Sequence, residues 1–238
     1  MDARCRVKPS PAHCDNRPMP TSTVEDYLKH ILLAEQERPG ERAATGQLAT
    51  RLGLSPGTVT AMLKALADSG LVDYEPYGGA QLTVAGQQLA THVLRRHRLI
   101  ELFLVQVLGL DWSEVHNEAE QLEHAVSDRL IARMDEMLGS PTVDPRGDPI
   151  PTAGGDMPAA AQESLVVCPL LRPLQVARVQ DQSADFLQLA HRRGLRPGQG
   201  LRVLTRDEAA DMVELELHGG ERLSLGFRAA SKILVMAS

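Results

Sequence analysis

The sequence predicts a mainly α-helical chain with a smaller β component: an N-terminal winged helix-turn-helix, a central helical scaffold and a C-terminal small β-barrel. Three observations carry that expectation. Between Val24 and Thr83 the order is helix, glycine-containing turn, helix, hairpin. A helical period then runs through Val84 to Leu138. The last third is a series of short strand-like runs separated by glycine and proline turns.

Length and composition set the limits. At 238 residues the chain has room for one large or two modest domains, and 43% apolar residues with only 3% aromatics mean a core packed by Leu, Val, Ala and Met. A net charge of −6 excludes a basic nucleic-acid-coating protein but leaves room for a DNA reader with few, placed cations. The central apolar stretch Leu99 to Leu110 carries Glu101 and Gln106 and is too short to span a membrane. The N-terminus lacks a secretory pattern, and the three cysteines show no zinc or redox spacing, so a reducing cytoplasm is the expected home.

Residues 1–20 are proline-rich and without hydrophobic period, which predicts a disordered extension. Cys5, His13 and Cys14 there have irregular spacing for a soft metal. From Val24, the apolar positions Val24, Leu28, Ile31 and Leu32 define an amphipathic helix ending near Pro39 and Gly40, with Asp26 and Lys29 off the stripe. Thr45 is placed to cap a short helix, Gln47 to Leu52, that stops at Gly53. Ser55 and Pro56 then read as N-cap and first helical residue of a helix running to Ser69 and closed by Gly70. This is the arrangement in which a second helix enters a DNA major groove. Leu71 to Tyr74 and Gln81 to Thr83, joined through Gly78 and Gly79, complete the wing.

In such a module Ser55, Gly57, Thr58 and Thr60 sit at the start of the recognition helix, where small side chains and backbone amides meet phosphates and base edges. Arg51, Lys64 and the wing tip would add backbone contacts. Ordinary capping competes with that role, above all at Ser55. From Thr23 to His92 five Lys/Arg stand against eight Asp/Glu, a net of −3 that a bound divalent cation would partly offset.

The stretch Val115 to Ser127 is the most informative chemically. If it is helical, His116, Glu120, Glu123 and His124 leave one face as a continuous stripe of imidazoles and carboxylates able to reach one or two divalent cations. A solvated charged face is the competing reading. Leu122, Val126 and Leu130 beside the stripe predict a partly buried helix instead. His97 and Glu101, at i and i+4 on the Val84 to Val107 helix, supply a candidate second set. Ser127 and Asp128 restart a helix whose Ile131, Met134 and Leu138 form a candidate dimer surface. Gly139 to Ala161 reads as a linker or an ordered extended crossing. Leu174 to Val179, Gly200 to Thr205, Met212 to Leu217, Arg222 to Leu225 and Lys232 to Met236 are the expected strands, with a helical interlude at Ala184 to His191.

Taken together, several of these motifs resemble the diphtheria-toxin-repressor family of metal-dependent transcriptional repressors, in its manganese-responsive branch. They are Thr23-Val24-Glu25-Asp26-Tyr27-Leu28, the helix-turn-helix with Gly70-Leu71-Val72, Arg96-His97-Arg98-Leu99-Ile100-Glu101, Val115 to His124, and Gly147-Asp148-Pro149-Ile150-Pro151. The resemblance runs from Thr23 to the end and includes a C-terminal region similar to FeoA-type, Src-homology-3-like domains. It implies a winged module over 21–92, a metal-binding and dimerisation domain over 93–158 and the small barrel over 159–238. It further implies a primary metal site on Asp26, Glu120, Glu123 and His124, and an ancillary site on His97, Glu101 and His116 with Asp185 and Gln182 reaching back from the C-terminal domain.

Oxygen donors at Asp26 and Glu120, where iron-type members carry methionine and cysteine, favour Mn²⁺ over Fe²⁺. An acid is common in manganese-type members where this chain has Lys29, and Ala61 replaces a glutamine that iron-type members use near the recognition helix. The expected partners are double-stranded operator DNA and a second copy of the chain, with no membrane and no organic cofactor. Two other function classes compete: a winged-helix regulator answering a small organic ligand, and a metallohydrolase, for which the chain shows neither a His-Glu-x-x-His arrangement nor a nucleophile motif.

Overall fold

A computed structural model describes residues 21–158 and 161–238, so the expectations placed on residues 1–20 lie outside the described residues. Helix α1 (Ser22–Glu37) starts at Thr21, whose hydroxyl accepts from the Val24 amide, and buries Tyr27, Leu28, Ile31 and Leu32. Helices α2 (Thr45–Leu52) and α3 (Pro56–Asp68) flank Gly53, which takes the left-handed conformation (φ 65°) that ends a helix without a Cβ penalty. The start of α2 differs from expectation: Ala44 occupies the cap position with no side-chain bond, and Thr45 is the first helical residue. Ser55 caps α3 and Pro56 opens it.

Strands β1 (Val72–Glu75) and β2 (Gly79–Leu82) pair antiparallel, Val72 opposite Leu82 and Glu75 opposite Gly79. Gly79 is required there: a Cβ would stand 2.7 Å from the Ala43 carbonyl oxygen. Val59, Leu63 and Leu66 of α3 close a core with α1, Leu48, Val72 and Ala80, to which Ala90 and Leu94 of the next helix also belong.

That next helix, α4 (Val84–Gln106), is capped by Thr83 and runs without a break across the boundary placed between 92 and 93. The winged module and the helical domain therefore share one helix. Its second half, with Leu99, Ile100 and Leu104, packs with α5 (Val115–Leu122), α6 (Asp128–Met137) and Ile150. The expected single helix from Val115 to Ser127 is shorter than its pattern suggested. It ends at Leu122, and the amides of Ala125 and Val126 both bond to the Leu122 carbonyl, so Glu123 and His124 lie on a tight turn. The turn is needed because Ser127 must be extended (ψ 153°) to cap α6.

Leu122 and Leu130 are 37% and 48% exposed, so the partial burial expected of this stripe falls on Val126, which packs against the same core. On α6, Ile131 is buried and Met134 and Leu138 pack against the same core, so they do not form a free face; the exposed apolar residues there are Leu130 and Met137.

Residues 139–158 are an ordered crossing that buries Asp144, Arg146, Asp148 and Ile150. Beyond them a six-stranded antiparallel sheet forms in the order β3 (Glu163–Ser164), β8 (Ile233–Ala237), β4 (Leu174–Val179), β5 (Gly200–Asp207), β6 (Met212–Leu217), β7 (Arg222–Leu225). Register shifts between Val176 and Arg178 and between Val203 and Thr205 mark irregularities of the kind that let short strands curl round a core. Helices α7 (Ala184–Arg192) and α8 (Phe227–Ala230) flank that sheet, and Leu187 and Ala230 join its core. Trp112, from the loop before α5, inserts into the same core, and the Arg196 guanidinium lies 5.8 Å from its ring centre. Nothing in the sequence pattern singled out Trp112 as this anchor.

Candidate metal centre

Three pieces of chain converge on the buried centre. α1 presents Glu25, Asp26 and Lys29, α4 presents His97 and Glu101, and α5 with its following turn presents His116, Glu120, Glu123 and His124. The i, i+3 spacing of Asp26 and Lys29, like the i, i+4 spacings of His97 with Glu101 and His116 with Glu120, brings each pair to one helical face.

Two triads of close ligand atoms result: Asp26, Glu123 and His124, and His97, His116 and Glu120, with the atoms of each within 4.8 Å of one another. The grouping differs from the one the family resemblance implied. Glu120 groups with the imidazole pair, 3.7 Å from both His97 Nδ1 and His116 Nε2, and also accepts from the Lys29 ammonium at 2.7 Å. Glu101 stands outside both triads: it accepts from His97 Nε2 at 3.0 Å, from His116 Nδ1 at 3.2 Å and from Arg146 at 2.8 Å. Asp185 belongs to neither triad and is exposed in the first turn of α7. Gln182 lines the cavity that opens beside the centre, about 590 Å³ in volume and also bordered by Lys29, His30, Arg51, His116 and Glu120.

The polar contacts are short. His124 Nδ1 lies 2.6 Å from Glu25 and Nε2 lies 2.9 Å from Asp26 Oδ1, so with Nδ1 donating to Glu25 it is Nε2 that faces the acid triad as a candidate ligand. Sequence reasoning missed Glu25; the only signal was a second acid next to Asp26. His97 Nδ1 lies 2.6 Å from Glu123 Oε2, and its ring stands edge-on to His116 at 5.0 Å between centres.

Burial and charge pull against each other here. Burial opposes charging of His97, but the Glu101 carboxylate and hydrogen bonds to Glu101 and Glu123 outweigh it and push the imidazole up to about 9. Lys29 is likewise penalised by burial and still held above its ordinary range by Glu123 and Glu120. Burial raises Asp26, offset in part by His124 and Lys29. Glu120 is burdened by burial yet ends below its ordinary value because of Lys29 and His97.

The donor set, carboxylate oxygens and imidazole nitrogens with no sulfur, fits a hard or borderline divalent cation such as Mn²⁺ or Fe²⁺. Glu123, wholly buried, needs cationic partners from every side.

Glu101 leads to a second buried cluster. Arg146 pairs with it, with Asp144 at 3.3 Å and with Asp148 at 3.6 Å, and Asp148 in turn pairs with Arg178 of β4. The register shift at Ala177 presents its carbonyl oxygen to the crossing, where a Cβ on Gly147 would stand 1.9 Å from it; only glycine fits.

At the reader end, Gly57 and Thr58 are exposed, Thr60 is half-buried, and the Ser55 hydroxyl accepts from the Thr58 amide at 3.2 Å. Thr60 and Lys64 border a groove with Tyr74 and Tyr77 of the wing. Tyr77, at the wing tip with φ 63°, is fully exposed and was not singled out in the sequence. Arg51 pairs with Glu37 and lines the cavity beside the ligand centre.

Comparison with known proteins agrees with this architecture. Three family models match consecutive parts of the chain: the iron-dependent repressor N-terminal DNA-binding domain over 19–80, the iron-dependent repressor metal-binding and dimerisation domain over 83–152, and the FeoA domain over 164–237. An uncharacterized HTH-type transcriptional regulator of Methanocaldococcus jannaschii is 42% identical over 116 residues, 48% of this chain and 90% of that one. The iron-dependent repressor IdeR of Mycobacterium leprae is 35% identical over 171 residues, covering 70% and 74% of the two chains. Among solved structures, a manganese-dependent transcriptional repressor in complex with manganese superposes with a TM-score of 0.82 at 42% identity, over 90% of this chain and all of that one. With a winged reader, a buried oxygen and nitrogen ligand centre and a FeoA domain in the same order, this chain belongs to the diphtheria-toxin-repressor family of metal-dependent transcriptional repressors.

Proposed function

We propose that the protein is a metal-dependent DNA-binding repressor of metal-uptake genes that binds palindromic operators as a homodimer, with Mn²⁺ ahead of Fe²⁺ as the effector. It is a regulator and not an enzyme. The observation that carries the reading is the meeting of α1 with the turn after α5: Asp26 and Glu25, from the DNA-reading module, face His124 of the helical domain at 2.9 and 2.6 Å.

A bound divalent cation supplies the positive charge that lets Asp26, Glu123 and His124 share one point, with His97, His116 and Glu120 as the second set of ligands. The chain's own part is to set the posture. Glu25 fixes the His124 ring, Lys29 ties Glu120 and Glu123 to α1, and α1 shares one core with α2 and α3 through Leu28, Ile31, Leu48 and Leu63. Two α3 helices in a dimer would then meet successive major grooves. The effector works only by favouring that posture over looser ones, and its differential affinity limits the shift.

The donor chemistry supports manganese, since Asp26 and Glu120 add oxygen rather than sulfur. Exposed Leu130 and Met137 on α6, with Leu122, are the proposed dimer face. Glu123→Ala is expected to abolish Mn²⁺-stimulated operator binding in a gel-shift or anisotropy titration while leaving a folded dimer; unchanged metal dependence would overturn the site assignment. Stimulation of DNA binding by an organic ligand without metal would overturn the effector class.

A further inference from the structure

Resting on the metal reading above, we propose that Glu35 is a positioning residue for the wing: its carboxylate holds an edge amide of β2, and through that bond α1 sets the hairpin that flanks the reading helix. Glu35 Oε1 accepts from the Leu82 amide at 2.8 Å. On the same edge Ala80 is bonded both ways to Ala43, its amide to the Ala43 oxygen at 2.9 Å and its carbonyl to the Ala43 amide at 2.8 Å. That pairing stops there, because Thr45 already opens α2. Leu82, two residues beyond Ala80, points its amide out of the edge where no strand continues. The Glu35 side chain stands in for the missing strand.

The place of Glu35 on α1 gives this contact its reach. It follows Asp26 by about two and a half turns, or ~14 Å along the helix, so the two carboxylates leave opposite sides. One side meets His124 of the helical domain, and the other meets the hairpin. The hairpin is bound at its exit as well. Thr83 donates its amide to the Leu71 oxygen at 3.1 Å and its hydroxyl to the Gly70 oxygen at 2.7 Å, and that hydroxyl accepts from the Gly86 amide at 3.2 Å. A Cβ on Gly86 would stand 2.0 Å from the Leu71 oxygen, so only glycine lets α4 start this close to the turn after α3. Leu82 and Thr83 are therefore the junction at which α1, the end of α3 and the start of α4 are joined.

The charge of Glu35 separates this role from a simpler one. Between Thr23 and His92 the module already carries a net of −3, and an acid beside the wing opposes an approaching phosphate backbone. On charge alone, removing Glu35 tightens DNA binding. As holder of the Leu82 amide it favours binding instead, because without the acceptor that edge of the hairpin is free to move. The two effects have opposite signs. Glutamine divides them, since it keeps the accepting oxygen and discards the charge. Glu35 belongs to neither ligand triad, so its influence on DNA runs through the hairpin and not through the centre.

The test is fluorescence anisotropy of the full chain at saturating Mn²⁺ on two duplexes, one selected from a random library by the Mn²⁺-loaded wild type and one unselected. Glu35→Ala is expected to lose about 10-fold in affinity for the selected duplex, with no loss on the unselected one and with Mn²⁺ affinity by calorimetry equal to wild type. Glu35→Gln is expected to stay within about 2-fold of wild type on the selected duplex. Hydrogen exchange at the Leu82 amide reports the contact directly: slow in wild type and in Glu35→Gln, and about 10-fold faster in Glu35→Ala. The first two of these proteins suffice for that arm if the alanine variant does not fold. Selected-duplex binding by folded Glu35→Ala as tight as wild type, equal losses on both duplexes, a Glu35→Gln as weak as Glu35→Ala, or fast exchange at Leu82 in wild type would each overturn the inference about Glu35. A wild type whose selected-duplex binding ignores Mn²⁺ would overturn the metal reading, and with it the step from Asp26 to Glu35.

Discussion

Two buried charge clusters lie side by side along α4, and they are balanced in opposite ways. Around Lys29, four carboxylates (Glu25, Asp26, Glu120 and Glu123) share one ammonium and three imidazoles, with a cavity open at one side. Around Arg146, three guanidiniums (Arg98, Arg146 and Arg178) face three carboxylates (Glu101, Asp144 and Asp148). The first has a surplus of acid, which the proposed divalent cation would offset. The second is complete in itself and fastens the C-terminal domain to the helical one through Asp148 and Arg178. Like residue types at like burial thus build either a receptor or a fastening, and the sign of the leftover charge decides which.

That contrast can be broken most forcefully at Arg146. Arg146→Met leaves Asp144 without its paired cation and takes one cationic partner from Glu101 and Asp148, and we expect a loss of about 3–5 kcal/mol in urea unfolding, the usual cost of removing one partner from a buried ion pair. A loss below about 1 kcal/mol would mean the cluster is solvated and is no fastening.

His30 sharpens the comparison from the cavity between the clusters. Burial, with help from the Lys29 charge, holds its imidazole down to about 4, so the folded chain keeps it neutral where the unfolded chain protonates it near 6.5. Stability from this group is fully present above the unfolded value and is lost as pH falls from 6.5 toward 4. The full difference amounts to about 3 kcal/mol. His30→Gln should flatten that acid limb in a series of unfolding curves, and an unchanged limb would show that other groups carry it.

The third expectation is set by mass action. Mn²⁺ at 100 times its dissociation constant should stabilise the wild type by about 2.7 kcal/mol, and a chelator should remove the gain. Glu123→Ala should lose the increment, whereas Arg178→Met, in the balanced cluster, should keep it although its starting stability is lower. Equal loss in both variants would erase the distinction between receptor and fastening.

The wing, the caps at Ser55 and Ser127 and the C-terminal strands were legible because local chemistry decides them: an N-cap oxygen, a glycine at positive φ, an alternating strand. The cluster of acids and imidazoles was legible as residue types at helical spacing. Their grouping was not, since it depends on how α1, α4 and α5 pack against one another, and no periodicity reports that. The pairing of the Arg51 guanidinium with Glu37 across a helix–helix junction was likewise not visible in the sequence. Glu123 and His124 read as helical because their spacing fits 3.6 residues per turn, while the constraint that ends the helix comes from the extended cap at Ser127. Trp112 and the Arg146 cluster belong to contacts between distant segments, which single-sequence patterns do not encode.

Because α4 crosses from the winged module into the helical domain without interruption, there is no hinge along it about which the reader could swing freely. Val84 and His97, at opposite ends of its first half, are separated by about 20 Å of rigid rod at 1.5 Å per residue. A tilt of about 6° at the ligand end of such a rod moves its far end by about 2 Å, comparable to the helix shifts that separate functional states in other switches. On the proposed metal reading, control in this fold would be a matter of leverage: small adjustments at the ligands would be enlarged with distance along α4.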